Sequence, residues 1–214
     1  MQIISHRGYW RVSAEKNKIN AFERSFNLGF GTETDIRDFN GELVISHDIP
    51  NSSIEELIYV DDFFKLYKSI GNNLPLALNI KSDGLQEMLK NLIIKYDISN
   101  YFVFDMSIPD TLGYMKRDIN YFSRQSEFEI MPSLYKECRG VWLDEFVNHW
   151  ITPEIIEEHL KKNKLVCIVS PELHGRNNIQ EWANYKNFIT NQFSENLILC
   201  TDNPEDAKKY FYED

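Results

Sequence analysis

Two histidines and two carboxylates near the N-terminus are spaced for proton transfer beside a bound cation. His6 lies in Ile4-Ser5-His6-Arg7-Gly8, and His47 in Val44-Ile45-Ser46-His47-Asp48. Between them, Glu33-Thr34-Asp35-Ile36-Arg37 reads as β-strand. Glu33 and Asp35 are two apart, so they leave the same strand face about 6.6–7 Å from each other. Two carboxylates in one polar pocket repel, and a hard cation relieves that repulsion. Histidine titrates near neutral pH, so two of them flanking such a cation form an acid/base pair suited to phosphoester chemistry.

Groups so far apart in sequence need a scaffold that gathers strand ends. Short β-rich runs alternate with helical ones from end to end, with no internal repeat or low-complexity tract. The expected strands are Gln2–Ser5, Thr32–Arg37, Leu76–Ile80, Phe102–Asp105, Tyr121–Ser123, Gly140–Leu143, Leu165–Val169 and Leu197–Cys200. The expected helices are Ala21–Leu28, Asp61–Ser69, Leu85–Tyr96, Pro109–Arg117, Pro153–Lys162, Ile179–Asn191 and Pro204–Tyr212. Thr152 and Asn203 stand where N-caps belong, each followed by proline at the first helical position. Met131–Arg139 is too short and irregular for a helix. Asn40-Gly41 predicts a tight turn into a hairpin arm over Glu42–Ser46.

Strict alternation predicts a parallel sheet, and eight strands predict an α/β (β/α)8 TIM barrel, a single domain over 1–214. At 214 residues it is a little shorter than the typical barrel of about 250. Barrel active sites form at the C-terminal ends of the strands. His6, Arg7, Glu33, Asp35, Asn79, Lys81, Asp105, Arg124, Asp144, His174, Arg176 and Asp202 all occupy such positions.

Composition narrows the partners. A net charge of −10 argues against an extended nucleic-acid surface. An anionic substrate then needs local positive charge, from metal, Arg7 or Lys81. No apolar run approaches a membrane span, and the N-terminus shows no signal-peptide pattern. Three cysteines, Cys138, Cys167 and Cys200, lack Cys-x-x-Cys spacing; the last two sit in apolar strands as expected buried thiols. A reducing cytoplasm is the expected setting. His149 and His159 are expected to be ordinary helix or loop residues, while Tyr9 and Trp10 are placed to line a pocket beside His6.

The N-terminal pattern resembles the glycerophosphodiester phosphodiesterase family, among the phospholipase C-like phosphodiesterases. His6-Arg7-Gly8, Ala21-Phe22, Gly29, Glu33-x-Asp35 and His47-Asp48 follow that family's order and approximate spacing. The likeness is dense over residues 1–50. It resumes in Leu78-Asn79-Ile80-Lys81 and in Thr201-Asp202-Asn203-Pro204.

The resemblance implies a TIM barrel that hydrolyses a small-molecule phosphodiester next to a free hydroxyl. His6 and His47 become the catalytic acid and base. Magnesium or calcium is held by Glu33, Asp35 and Asn79, and Arg7 and Lys81 meet the substrate phosphate. Arg124 and Arg176, at later strand ends and loops, are further phosphate contacts by position.

Two departures stand out. Lys16-Asn17 replaces the family's Glu-Asn, and Asn79 replaces a third carboxylate. An amide oxygen ligates a hard cation without bringing charge, so weaker metal affinity is expected unless another acid, such as Asp144, compensates. Three readings remain open: a metal-dependent phosphodiesterase, a metal-independent or sugar- or lipid-linked one, and an anion-binding barrel without turnover. For Glu33 and Asp35 the structural alternative is an inward salt-bridge cluster with Arg7 or Lys81.

Overall fold

Runs of β-branched and aromatic residues form the strands that the alternation predicts. The computed structural model describes residues 1–51, 56–71, 73–189 and 194–213, with only backbone for 187–189. The strands are β1 (Gln2–His6), β2 (Gly31–Phe39), β3 (Glu42–Ile45), β4 (Ile58–Tyr59), β5 (Leu76–Ile80), β6 (Tyr101–Phe104), β7 (Phe122–Gln125), β8 (Gly140–Leu143), β9 (Leu165–Val169) and β10 (Leu197–Thr201). The helices are α1 (Ile19–Asn27), α2 (Val60–Ile70), α3 (Gln86–Lys95), α4 (Ile108–Met115), α5 (Pro153–Lys161), α6 (Ile179–Ile189) and α7 (Pro204–Tyr212). The expected end of the sixth helix at Asn191 lies outside the described residues. Among those residues no helix is long and apolar enough to cross a membrane.

The chain divides into two compact units, one of Arg7–Tyr121 and one of Met1–His6 with Phe122–Asp214. In the first, β2 pairs in parallel with β5, and β5 with β6. Every residue of β5 is buried, as a strand covered on both faces must be. On its other side β2 pairs antiparallel with β3, the expected hairpin arm. Asn40 and Gly41 at φ 51° and 84° make the tight turn, because two successive left-handed residues match the twist of the flanking strands. The two-residue β4 was not expected; pairing alone makes it a strand, through Val44↔Tyr59 and Ile45↔Ile58. Helices α1 and α2 meet through Phe22, Phe26, Phe63 and Tyr67, with ring centroids 4.7 Å apart for Phe22–Phe63.

In the second unit, β1, β10, β9, β8 and β7 lie side by side in that order, all parallel. Their C-terminal ends therefore share one edge, which carries His6, Asp202, Ser170, Asp144 and Gln125. Trp182 of α6 packs on Tyr210 and Phe211 of α7. Met131–Arg139 forms turns rather than a helix, as expected.

Capping differs from expectation at two helices. Thr152 and Asn203 hold the N-cap positions of α5 and α7, but neither side chain caps. The Thr152 hydroxyl goes to Glu154, whose charge makes it the stronger acceptor, and lowers that carboxyl's pKa. The Asn203 N–H donates to Thr201 Oγ1 at 3.0 Å. Ser107 does cap α4, accepting from the Asp110 N–H.

Candidate active site

The turn after β1 builds the first unit's polar cluster. Arg7 and Gly8 both take left-handed φ, 58° and 78°. A Cβ on Gly8 would stand 2.8 Å from the Ala21 Cβ, so both the turn and the approach of α1 require glycine. The turn aims two backbone donors at β2: the Arg7 N–H reaches Glu33 Oε2 at 3.2 Å, and the Gly8 N–H reaches Thr32 Oγ1 at 3.0 Å. The Arg7 carbonyl accepts the Asn17 N–H at 2.9 Å.

Glu33 and Asp35 are buried, with exposures of 2% and 0%. Asp35 is the hub. Its Oδ2 accepts from Asn17 Nδ2 at 2.8 Å and lies 3.0 Å from Arg7 Nε. Its Oδ1 lies 3.5 Å from Lys81 Nζ, which sits equally far from Asp105 Oδ2. Parallel register puts Asn79 of β5 opposite Asp35. Asn79 Oδ1 and Asp35 Oδ1 are both buried without a hydrogen bond among the described residues. Buried acceptors left in that state are rare in folded proteins.

The hairpin arm sets His47. The Ser46 N–H donates to the Asp35 carbonyl at 3.1 Å, and Arg37 Nε to the His47 carbonyl at 3.1 Å. The imidazole is half exposed, with Nδ1 2.9 Å from Asp48 Oδ1.

In the second unit, His6 Nδ1 lies 2.8 Å from Asp202 Oδ1, both side chains 16% exposed. Asp144 Oδ1 is 2.7 Å from His174 Nε2, and that bond raises the His174 pKa. Arg124 is paired to Glu129 and stacks over Phe146 at 5.5 Å. Arg176 donates to the Glu145 carbonyl and carboxylate at 2.8 and 3.1 Å.

Among the described residues, the Glu145–His149–Glu181 group has three ligand atoms within 4.8 Å of one another, close enough to share an ion. Its atoms already have partners. Glu145 Oε1 takes the Trp150 and Ile151 N–H groups at 3.0 and 2.8 Å, with His149 Nδ1 2.8 Å away; Arg176 holds Oε2. The group anchors the loop after β8. His159 is a satisfied core histidine between Tyr135 and Gln125, its pKa lowered by burial.

The structure thus gathers Arg7, Glu33, Asp35, Asn79 and Lys81 in one unit, beside the arm that carries His47. Sequence reasoning missed Asn17, which bridges Thr34 Oγ1 and Asp35. A signal was present, since Asn17 matches the family's Glu-Asn while Lys16 does not. Lys16 instead lies over the Trp10 ring at 4.4 Å. Glu172, whose carboxylate underlies Thr201 and Asp202, had no sequence signal that set it apart from a surface acid.

No protein-family model matches the chain, and no curated protein sequence does. Solved structures do. One from Galdieria sulphuraria, assigned provisionally as a glycerophosphodiester phosphodiesterase, aligns with TM-score 0.77 and 16% identity over 98% of this chain and 97% of its own. A glycerophosphodiester phosphodiesterase from Agrobacterium tumefaciens gives 0.69 and 15% over 99% and 98%. A phosphodiesterase from Oleispira antarctica, in complex with the product sn-glycerol-3-phosphate, gives 0.66 and 14% over 98% and 96%. At these identities the likeness is one of fold. That fold is the α/β TIM-barrel class which the strand and helix alternation predicted, and its bearers come from the family that the N-terminal motif resembles.

Proposed function

We propose that this chain is a phosphoric diester hydrolase acting on glycerophosphodiesters or similar small phosphodiesters with a neighbouring hydroxyl. The observation that carries the reading is the cluster of Arg7, Glu33, Asp35, Asn79 and Lys81, built from the motif residues on the fold of the glycerophosphodiester phosphodiesterases.

Hard oxygen donors suit magnesium or calcium. Glu33, Asp35 and Asn79 would hold such a cation, and the buried Oδ1 atoms of Asp35 and Asn79, which have no hydrogen bond among the described residues, fit that role. When bound, it supplies Lewis-acid stabilisation of phosphate charge, worth several kcal/mol. Arg7 and Lys81 place fixed positive charge beside the same carboxylate. Arg124 and Arg176 could add to it only by leaving Glu129 and Glu145.

One of His6 and His47 takes the proton of the substrate hydroxyl, whose oxygen then attacks phosphorus. The other protonates the departing alkoxide, leaving a cyclic phosphate. Water opens that ring with the two roles reversed, giving the phosphomonoester.

A second reading rests on a specific observation. Asp35 already carries two organic cations, Arg7 and Lys81, and Asn79 brings no charge, a combination that favours turnover without a tightly held metal. A cytoplasmic setting is part of the proposal, argued from three buried cysteines, none of them in a disulfide among the described residues.

Hydrolysis of glycerophosphocholine and of an aryl phosphodiester, with magnesium, calcium or chelator, tests both readings. Turnover that chelator abolishes supports the first, and turnover that survives it supports the second. No turnover above the His6→Ala, His47→Ala double variant on either substrate would overturn both and leave an anion-binding barrel.

A further inference from the structure

The second unit holds a part-buried, fully hydrogen-bonded acid that the proposed reaction does not use. Glu172 follows β9 in the short turn Pro171–His174. Its Oε1 accepts the Thr201 hydroxyl and the Asp202 N–H, the latter at 3.2 Å. Its Oε2 accepts the Ser170 hydroxyl and an Asn178 Nδ2–H, the latter at 3.1 Å. Ser170 Oγ in turn accepts the Trp182 indole N–H at 2.8 Å. An ionised carboxylate has about four lone-pair sites, and here four donors fill them.

We infer that Glu172 is a positioning residue for His6, acting through Asp202. Glu172 grips the backbone of Asp202 and the side chain before it, so the Asp202 carboxylate is held where the end of β10 meets the end of β1. That carboxylate is acceptor-only when ionised, so the 2.8 Å contact requires His6 to carry its proton on Nδ1. Nε2 is then the nitrogen that exchanges a proton with substrate. Without the grip, Asp202 gains rotamer freedom and both tautomers of His6 become populated, which lowers the reactive fraction without touching substrate contacts. The inference rests on the catalytic role proposed above for His6. Ser170 and Glu172 join Thr201 of the closing motif in one support beneath it.

The test reads the His6 imidazole directly by long-range ¹H–¹⁵N spectra, its signals assigned by their loss in His6→Ala. The wild type should show the Nδ1–H tautomer. Glu172→Ala and the near-isosteric Thr201→Val should both shift the ring towards mixed tautomers. They should lower kcat roughly tenfold or more and leave KM within about twofold, since a one-ångström loss of positioning can cost as much as 10²-fold. Trp182→Phe, which removes only the outermost bond, should lower Tm while leaving the tautomer unchanged. If Glu172→Ala fails to fold, Thr201→Val alone decides. An unchanged tautomer with kcat within twofold in the folded variants overturns the inference. A wild type that hydrolyses no phosphodiester overturns the proposed function instead, and the spectra still decide the positioning of His6.

Discussion

Asp35 of β2 and Asn79 of β5 stand opposite each other in a parallel register, and among the described residues neither buried Oδ1 atom has a hydrogen bond. The pair is a half-neutralised version of a two-carboxylate site. Lys81 Nζ at 3.5 Å from Asp35 Oδ1 supplies charge to one member only.

Restoring a carboxylate at position 79 should separate the two effects. Asn79→Asp and Asn79→Glu should tighten magnesium or calcium binding by roughly tenfold, about 1.4 kcal/mol, read by calorimetry. In chelator the same variants should melt below wild type, because a third acid joins a buried cluster without compensation. Equal affinity in wild type and variants would exclude this position as a ligand.

His6→Ala and His47→Ala should each lower kcat by roughly 10²–10⁴-fold, the range for general acid–base groups. The double variant should fall well short of the product of the losses. A p-nitrophenolate leaving group needs little protonation, so the variant lacking the acid should be far less impaired on that substrate. Near-normal turnover by both single variants would end the two-histidine mechanism.

Gly8→Ala should destabilise the protein by about 2–4 kcal/mol in urea unfolding. The added methyl meets the Ala21 Cβ and carbonyl carbon at 2.8 and 2.9 Å, at a φ of 78° that L-residues avoid. Overpacking costs about 1–3 kcal/mol and the left-handed backbone about 1 more. A loss below 1 kcal/mol would mean that the turn relaxes easily.

The Asp144–His174 bond should make stability pH-dependent. Its hydrogen bond raises the folded-state His174 pKa, so its contribution is complete below the unfolded value of about 6.5 and is lost as pH rises through the raised one. Asp144→Asn should therefore cost more stability at pH 6 than at pH 8.5. His159 acts in the opposite sense, because burial lowers its pKa and the unfolded chain takes up the proton first as pH falls. His159→Gln should flatten the acid-side loss. Parallel stability–pH curves for wild type and Asp144→Asn would show that the bond does not respond to protonation.

Arg176→Ala should cost about 2–4 kcal/mol, because it leaves the fully buried Glu145 carboxylate without its guanidinium. Glu145 keeps two backbone donors, which holds the figure below that of an isolated buried charge. If Arg176 instead serves the substrate phosphate, KM will rise and Tm will hold. Thermal melts and KM together distinguish the two roles.

The eight barrel strands were legible in the sequence because strands buried on both faces read as continuous β-branched and aromatic runs. The hairpin arm was legible because Asn40-Gly41 supplies two residues that accept left-handed φ. The identities of His6, Glu33, Asp35 and His47 as candidates came from spacing on those strands, together with the motif. What the chain alone could not decide is which charge meets which. Arg7 and Lys81 converge on Asp35, whereas Arg124 goes to Glu129 and Arg176 to Glu145. Each of those arginines or lysines could have faced any nearby acid or solvent on sequence grounds. Local propensity and periodicity act over a few residues and determine the strands and helices. Pairing between side chains up to 196 positions apart, as in His6–Asp202, depends on strand register and order, which only the packed tertiary structure sets.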